Sequence, residues 1–246
     1  MGVVVGLYIM MVFGAGGLPS PAPTWHERWD PAAVARLPTG VALPYPTDRL
    51  FRGFGACRGR GGAHRHAAID LGGVGPDGGL GTPIRSMVRA RVTMIGRGSE
   101  RPKEFGAPDK RRGLARRKHL RLPRSRLVPG YGEVFFFSAT RGRWRSGTII
   151  ETVGLEPPLD GATIRYMHLG AVRPDLAVGA VVDAGEELGL MGGTGVQRAG
   201  PHVHIDIVDA DDVPVDVAAL IGLAPTARCG APAERAKRDH AAFGGR

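Results

Sequence analysis

The sequence predicts a mainly β fold, and three observations favour it. The chain of 246 residues contains 39 glycines and 20 prolines. Short runs rich in valine and isoleucine lie between these turn-forming residues. Several of the runs alternate apolar and polar residues, which is typical of half-buried strands. The length is sufficient for one substantial core with extensions, or for two small domains.

The first 42 residues are predicted to precede the folded domain. Residues 3–13 form a nearly unbroken apolar run, followed by small residues and prolines. Residues 1–20 therefore resemble a secretory signal peptide or a short membrane anchor, although no lysine or arginine precedes the run. The alternative is a buried first strand of a cytoplasmic protein. Residues 21–42 are rich in proline and alanine, so we predict a linker with one short helix near 30–36.

Residues 43–223 are predicted to form the folded domain from short strands. Residues 81–96 and 178–190 each carry a glycine near the start and then alternating aliphatic residues. This pattern predicts two related strand-turn-strand units. Residues 148–153 and 163–167 flank a proline-rich turn, which predicts a hairpin.

Residues 97–145 are predicted to be a basic insertion in this domain. From Arg97 to Pro129 the chain holds twelve Lys and Arg residues against three acids, whereas its overall net charge is +10. One interpretation of the stretch from Arg97 to Arg126 is an arm that binds an anionic polymer. The alternative is a solvated loop. Phe105 is its only aromatic residue, so nucleic acid is not an expected partner, because single strands need a stacking platform.

The two cysteines exclude a cysteine-rich metal site. Cys57 and Cys229 are far apart in sequence and no Cys-x-x-Cys motif occurs, so a metal site must use histidines and carboxylates. The pair is either two free thiols or one disulfide, and the N-terminal apolar run favours the disulfide. Residues 224–246 are rich in alanine, arginine and glycine, and we predict a poorly ordered tail unless Cys229 is bonded.

Five of the eight histidines fall in three clusters inside the predicted domain. The clusters are HRHAAIDLGG at 64–73, RYMHLG at 165–170 and GPHVHIDI at 200–207. If the last cluster is a strand, His202, His204 and Asp206 share one face, because alternate residues of a strand point to the same side. Its valine and isoleucines then share the opposite face and can pack on a core.

These clusters contain the donor set of a catalytic zinc site, which takes three protein ligands and one water. His66, Asp70 and His204 would supply two imidazoles and one carboxylate. Residues 66 and 70 lie about 13 Å apart on a straight strand, so the backbone must bend between them. His168 and His202 would then lie beside the metal ion, where neutral imidazoles are suited to proton transfer. The alternative is that His202 and His204 belong to an ordinary polar strand face.

The ordered motifs resemble those of the lysostaphin/LytM-type zinc metallopeptidases, over roughly residues 43–223. That family has His-x-Gly-x-Asp, then Tyr-x-His-Leu, then Gly-Pro-His-Leu-His-Phe-Glu. This chain has HAAID at 66–70, YMHL at 166–169 and GPHVHID at 200–206. The resemblance implies a mainly antiparallel, sandwich-like β-sheet with an open substrate groove. It also implies one Zn²⁺ per chain.

The resemblance further implies roles for the five residues. His66, Asp70 and His204 would be the zinc ligands, and His168 and His202 the catalytic pair. One of the pair would activate the zinc-bound water and the other would stabilise the oxyanion, and the sequence leaves that assignment open.

The implied function is hydrolysis of peptide cross-links in bacterial peptidoglycan. The implied location is outside the cytoplasm, with membrane contact only through the N-terminal segment. A second hypothesis is a non-catalytic envelope scaffold that binds peptidoglycan through the same groove. In both hypotheses the basic stretch from Arg97 to Arg126 is a candidate site for an anionic polymer.

One motif residue departs from the family pattern. Ala68 stands where the family has glycine between the first two ligands. If the position needs a positive φ, alanine would strain the backbone by about 1 kcal/mol or more. If the glycine only provides space, the methyl group narrows the groove.

Overall fold

The computed structural model describes residues 37–46, 50–58, 64–72, 77–96, 125–136, 147–196 and 200–223. These ranges contain thirteen strands and a four-residue helix, α1 (Val217–Leu220). The strands are β1 (Leu50–Arg52), β2 (Cys57–Arg58), β3 (His64–Arg65), β4 (Ile69–Leu71), β5 (Pro83–Arg85), β6 (Ala90–Gly96), β7 (Ser125–Val128), β8 (Gly132–Phe135), β9 (Thr148–Gly154), β10 (Thr163–Val172), β11 (Val181–Val182), β12 (Glu187–Met191) and β13 (Val203–Val208).

Nine of these strands form one sheet. The order along it is β1-β4-β13-β10-β9-β6-β11, and β12 pairs with both β10 and β5. Two smaller sheets consist of β2-β3 and β7-β8. Every pairing between these strands is antiparallel. The prediction of a mainly β, antiparallel fold is confirmed.

The two related strand-turn-strand units pair with each other. Strand β5 of the first unit pairs with β12 of the second, and β6 of the first pairs with β11 of the second. The first strand of each unit therefore pairs with the second strand of the other. Backbone hydrogen bonds join their turns: Ser86 N–H donates to Glu186 O at 2.9 Å, and Gly185 N–H donates to Ser86 O. The predicted hairpin is also present as the antiparallel pair β9-β10.

The core lies against one face of the large sheet. On β13 the side chains of Val203, Ile205 and Ile207 are fully buried, as the alternation predicted. Burying each such side chain contributes about 1.5–3 kcal/mol, so this face fixes the register that brings the histidines to the other face.

The packed domain begins before residue 43. Val41, Ala42 and Tyr45 are all buried in the core, and Ala42 N–H donates to Met87 O at 2.7 Å. Residues 41 and 42, which the sequence assigned to the linker, are therefore part of the core. Apolar side chains of short linkers can be recruited in this way because burial outweighs a weak turn preference.

Part of the predicted basic insertion is a hairpin that packs on the domain. In β7-β8, Val134 is buried, and with Phe136 it contacts Leu80 and Leu190. Arg126 forms an ion pair with Asp77, and its guanidinium lies 5.7 Å from the ring centroid of Phe136. Residues 125–136 thus form a docked hairpin and not a solvated loop.

Several predictions lie outside the described residues. They are the signal or anchor at 1–20, most of the linker, the helix near 30–36, the basic residues 97–124, the bond between Cys57 and Cys229, and the tail. Within the described ranges, no helix combines the length and the apolar character that crossing a bilayer requires.

Candidate metal centre

The three histidine clusters meet on adjacent strands of the large sheet. Asp70 on β4 is the register partner of His204 on β13, and Met167 on β10 is the partner of His204 on its other side. His168 follows directly on β10. The chain bends at residue 68, between β3 and β4, and this bend brings His66 back to Asp70.

The candidate ligand atoms form a compact triangle. His66 Nε2 lies 3.3 Å from Asp70 Oδ1 and 3.2 Å from His204 Nδ1, and His204 Nδ1 lies 2.7 Å from Asp70 Oδ1. All three residues are buried. Two ligand atoms bonded to one tetrahedral zinc ion at about 2.0–2.1 Å lie about 3.3 Å apart. The triangle therefore fits a single ion of this size.

The backbone fixes the orientation of His66. Its Nδ1–H donates to Gly53 O at 3.1 Å, since a carbonyl can only accept. Its peptide group is held by the same loop, because His66 N–H donates to Ala56 O and Gly55 N–H donates to His66 O. When a metal ion is bound, the proton of His66 stays on Nδ1 and the lone pair of Nε2 faces the other two ligand atoms, which is the tautomer that metal binding needs.

Asp70 is an anion at every working pH. Burial alone would raise its pKa, but hydrogen bonds with His204 and His66, together with the charges of His202 and His66, hold the pKa well below its usual range. A carboxylate must be ionised to bind a metal ion, and this environment keeps Asp70 in that form.

His168 reaches the site through an irregularity of β10. The register of β10 shifts between Met167 and Leu169 against β9, and between Leu169 and Ala171 against β12. His168 is the residue within this bulge, and its φ is 67°, in the left-handed region. Its Nδ1–H donates to Thr194 O at 2.8 Å, so Nε2 is the acceptor nitrogen. Burial and the nearby His202 lower the pKa of His168 to about 3, so the imidazole is neutral.

His202 stands beside His168. The two rings are 4.8 Å apart between centroids and nearly perpendicular. His202 Nδ1–H donates to Gly200 O at 2.8 Å, and its Nε2 lies 3.8 Å from Asp70 Oδ1. Both imidazoles are thus held by a carbonyl at Nδ1 and present Nε2, next to the ligand triangle.

Thr194 holds His168 in place and was not among the residues predicted from the sequence. The carbonyl of this buried residue accepts a hydrogen bond from His168 Nδ1–H. Its hydroxyl donates a hydrogen bond to Leu169 O and accepts one from Thr148 N–H. Gly147 allows the approach, since a Cβ there would lie 2.2 Å from Thr194 O. The only sequence signal was its place in the Gly-Gly-Thr-Gly turn at 192–195 after a strand.

Arg165 was also missed. It lies between two acids on the neighbouring strands: its Nε donates to Glu151 Oε2 at 2.9 Å and its Nη1 donates to Asp206 Oδ1 at 3.2 Å. Burial alone would lower its pKa, but the two carboxylates raise it above the usual value. The residue contributes to a cleft of about 260 Å³ beside the ligand triangle, which Ala67, Ala68, Val208 and Pro214 also line.

Ala68 is not strained. Among the described residues, only His168 and Asp212 are non-glycines with positive φ. The strain hypothesis for Ala68 is therefore wrong, because the bend at this position uses an ordinary backbone conformation. Its side chain is buried and lines the cleft, in agreement with the alternative that the methyl group narrows the groove.

Comparison with known proteins gives structural matches alone. No family model matches the chain, and no curated protein sequence matches it significantly. A zinc-containing peptidase from Vibrio cholerae is 16% identical, with a TM-score of 0.41 over 72% of this chain and 37% of that one. A putative M23 peptidase from Pseudomonas aeruginosa is 20% identical, with a TM-score of 0.42 over 81% of this chain and 56% of that one.

A third match is the catalytic domain of the antimicrobial peptidase lysostaphin from Staphylococcus simulans. It is 17% identical, with a TM-score of 0.40 over 70% of this chain and 91% of that one. The chain thus spans from about a third to just over half of the first two structures and most of this one. These structures belong to the class that the sequence motifs resemble. At such identities and TM-scores the likeness assigns no function, so the site geometry must carry the assignment.

Proposed function

We propose that the chain is a zinc-dependent peptidase that hydrolyses peptide cross-links of bacterial peptidoglycan. The observation that carries the proposal is the ligand triangle with two oriented imidazoles beside it. His66, Asp70 and His204 offer two nitrogens and one oxygen at distances that suit one ion. Two imidazoles and a carboxylate with a fourth position for water is a usual ligand set of catalytic zinc.

His168 and His202 would transfer protons during hydrolysis. A bound zinc ion would lower the pKa of its water toward 7 and polarise the scissile carbonyl. His168 and His202 each hold Nδ1–H on a carbonyl and present Nε2, so each can accept a proton there. An imidazole that has taken a proton can then donate it to the oxyanion or to the leaving amine.

The substrate class and the cellular location follow from the motif resemblance. Peptidoglycan peptides lie outside the cytoplasm, and the apolar run at 3–13 provides a means of export. The cleft beside the ligands is lined by alanines, a valine and a proline, together with the charged Arg165 and Asp206, which suits a peptide with small side chains.

The proposal is tested with purified protein and peptidoglycan sacculi, with and without a chelator. We expect stoichiometric zinc in the protein and release of muropeptides, whose masses identify the bond cut. His204→Ala should abolish both, whereas His64→Ala, a histidine outside the proposed ligand set, serves as the matched control. Unchanged release by His204→Ala would overturn the proposal. Tight binding to sacculi by a zinc-free, inactive wild type would favour the scaffold.

A further inference from the structure

A row of charged side chains crosses the open face of the sheet and ends at the candidate metal centre. Glu151, Arg165 and Asp206 are register neighbours on β9, β10 and β13. Thr93 on β6 extends the row, since its hydroxyl donates to Glu151 Oε1 at 3.0 Å. At the other end, Asp206 Oδ2 lies 3.7 Å from His204 Nε2. Four strands therefore contribute one side chain each to a continuous polar row.

The two oxygens of Asp206 face different partners. Oδ1 accepts from Arg165 Nη1, and Oδ2 faces His204 Nε2. Asp206 and His204 are two residues apart on β13, so their side chains lie on the same face. With Nδ1 of His204 as a metal ligand, the proton of the neutral ring is on Nε2, opposite the carboxylate. At 3.7 Å the contact is electrostatic and not a hydrogen bond, and the negative charge favours the proton on Nε2, which leaves Nδ1 for the metal ion.

Arg165 determines which way Asp206 points. Its Nε holds Glu151 and its Nη1 holds Asp206, so one guanidinium separates two like charges and anchors both. Without the guanidinium, the two carboxylates would repel each other across β10, and Asp206 would lose the contact that keeps Oδ2 toward His204. An ammonium group cannot reproduce this fork, because it is a compact point charge.

We infer that Arg165 is a positioning residue that acts through Asp206 to hold His204 in its metal-binding orientation. The inference rests on the proposed function, since it assumes that His204 binds zinc. The competing interpretation is a cross-strand ion pair that only stabilises the sheet. Such pairs on a partly exposed face contribute little to stability and have no effect on a ligand's metal affinity.

The test is a double-mutant cycle of zinc affinity, measured on the full chain by competition with a chelator. Arg165→Gln and Asp206→Asn should each weaken zinc binding by about tenfold to a hundredfold, as is usual when the partner of a ligating histidine is lost. The double variant should bind no more weakly than Asp206→Asn, because Arg165 acts only through Asp206. Arg165→Lys, which keeps the charge, should recover part of the loss.

The matched control is Arg91→Gln. Arg91 is an exposed arginine on β6, two residues before Thr93, and its guanidinium donates to Gly179 O and not to a carboxylate of the row. It should leave zinc affinity unchanged. Thermal unfolding of the metal-free proteins checks that each variant folds, and Arg165→Lys replaces Arg165→Gln if the latter does not.

Three outcomes would overturn the inference. If Arg165→Gln binds zinc as tightly as Arg91→Gln does, the ion pairs of Arg165 only stabilise the sheet. Losses that add in the double variant would show that Arg165 does not act through Asp206. A wild type that binds no zinc would instead refute the proposed function, and with it the inference, so the two failures are distinguishable.

Discussion

Strands β13 and β10 present histidines to the same site by opposite means. On β13 the alternation is regular: Val203, Ile205 and Ile207 face the core, whereas His204, with His202 just before the strand, lies on the opposite face, where both are buried at the site. On β10 the buried positions are Ile164, Tyr166 and then Leu169, so the alternation slips by one residue. In a regular strand His168 would share the buried face of Ile164 and Tyr166. The bulge at His168 turns this side chain outward.

The difference shows where the site is robust and where it is strained. The β13 histidines follow from a pattern that also builds the core, so they cost nothing extra in backbone energy. His168 has φ of 67°, which costs a non-glycine residue about 1–2 kcal/mol. Its carbonyl partner Thr194 and the pairing of β10 with β9 and β12 maintain this conformation. Bulges that aim a side chain in this way are common beside active sites.

Substitutions of His204 on β13 and of His202 just before it should give the largest effects. The two effects should differ, because only His204 is a proposed zinc ligand. His204→Ala should lose both zinc and peptide cleavage, a fall in rate of about a thousandfold or more. His202→Ala should keep zinc while cleavage falls by about 10²–10⁴-fold. Metal analysis beside a cleavage assay checks both. Loss of zinc from His202→Ala would place this residue among the ligands.

The bulge on β10 should separate activity from stability. His168→Gly should lower cleavage by about 10²–10⁴-fold, because a proton-transfer group is lost. It should also be about 1 kcal/mol more stable than His168→Ala, since glycine adopts this φ without strain. Urea unfolding of the metal-free variants measures the second effect. Equal stability of the glycine and alanine variants would mean that the bulge stores no strain.

The environment of His168 should also make the metal-free protein sensitive to acid. Its pKa falls from the ordinary 6.5 to about 3 in the folded state. Between these values the unfolded chain binds a proton that the folded chain does not. The free energy of unfolding therefore rises with pH across this window, by up to about 1.4 kcal/mol per pH unit from this group. Above pH 6.5 the contribution of His168 no longer changes with pH.

His168→Gln removes this titration and should flatten the dependence between pH 3 and 6.5. Urea unfolding at several pH values, with wild type and variant in parallel, provides the measurement. Curves of the same slope in this window would contradict the lowered pKa. Other acid-sensitive groups act in both proteins, so the difference between the curves reports the titration of His168 together with its coupling to His202, His204 and Asp70.

The smallest effect is expected at the bend of the first motif, where glycine should act in the opposite sense. Ala68 has no positive φ, so Ala68→Gly gains no relief of strain and adds freedom to the unfolded chain. We expect the free energy of unfolding to fall by about 0.4–1 kcal/mol. At position 168, in contrast, the glycine variant is expected to be more stable than the alanine variant. Parallel urea unfolding of the two glycine variants makes the comparison. A stabilising Ala68→Gly would show that the bend is strained after all.

Much of the strand pattern could be predicted from local sequence. The alternation on β13 indicated which residues face the core, and the two glycine-led units were identified as related strands. The bend between His66 and Asp70 was required by their separation, and the chain does bend at residue 68. The docked hairpin β7-β8 was not predicted, because its packing on Leu80 and Leu190 joins residues far apart in sequence.

The five candidate site residues and the faces of β13 could be proposed from the sequence alone, since residue chemistry and a period of two are local properties. The slip in β10, the carbonyl that holds His168 and the row from Thr93 to Asp206 were not. Each depends on which strands become neighbours and in what register, and that register is set by core burial across residues far apart in sequence. Non-local packing thus converts an ordered set of motifs into a site with defined distances.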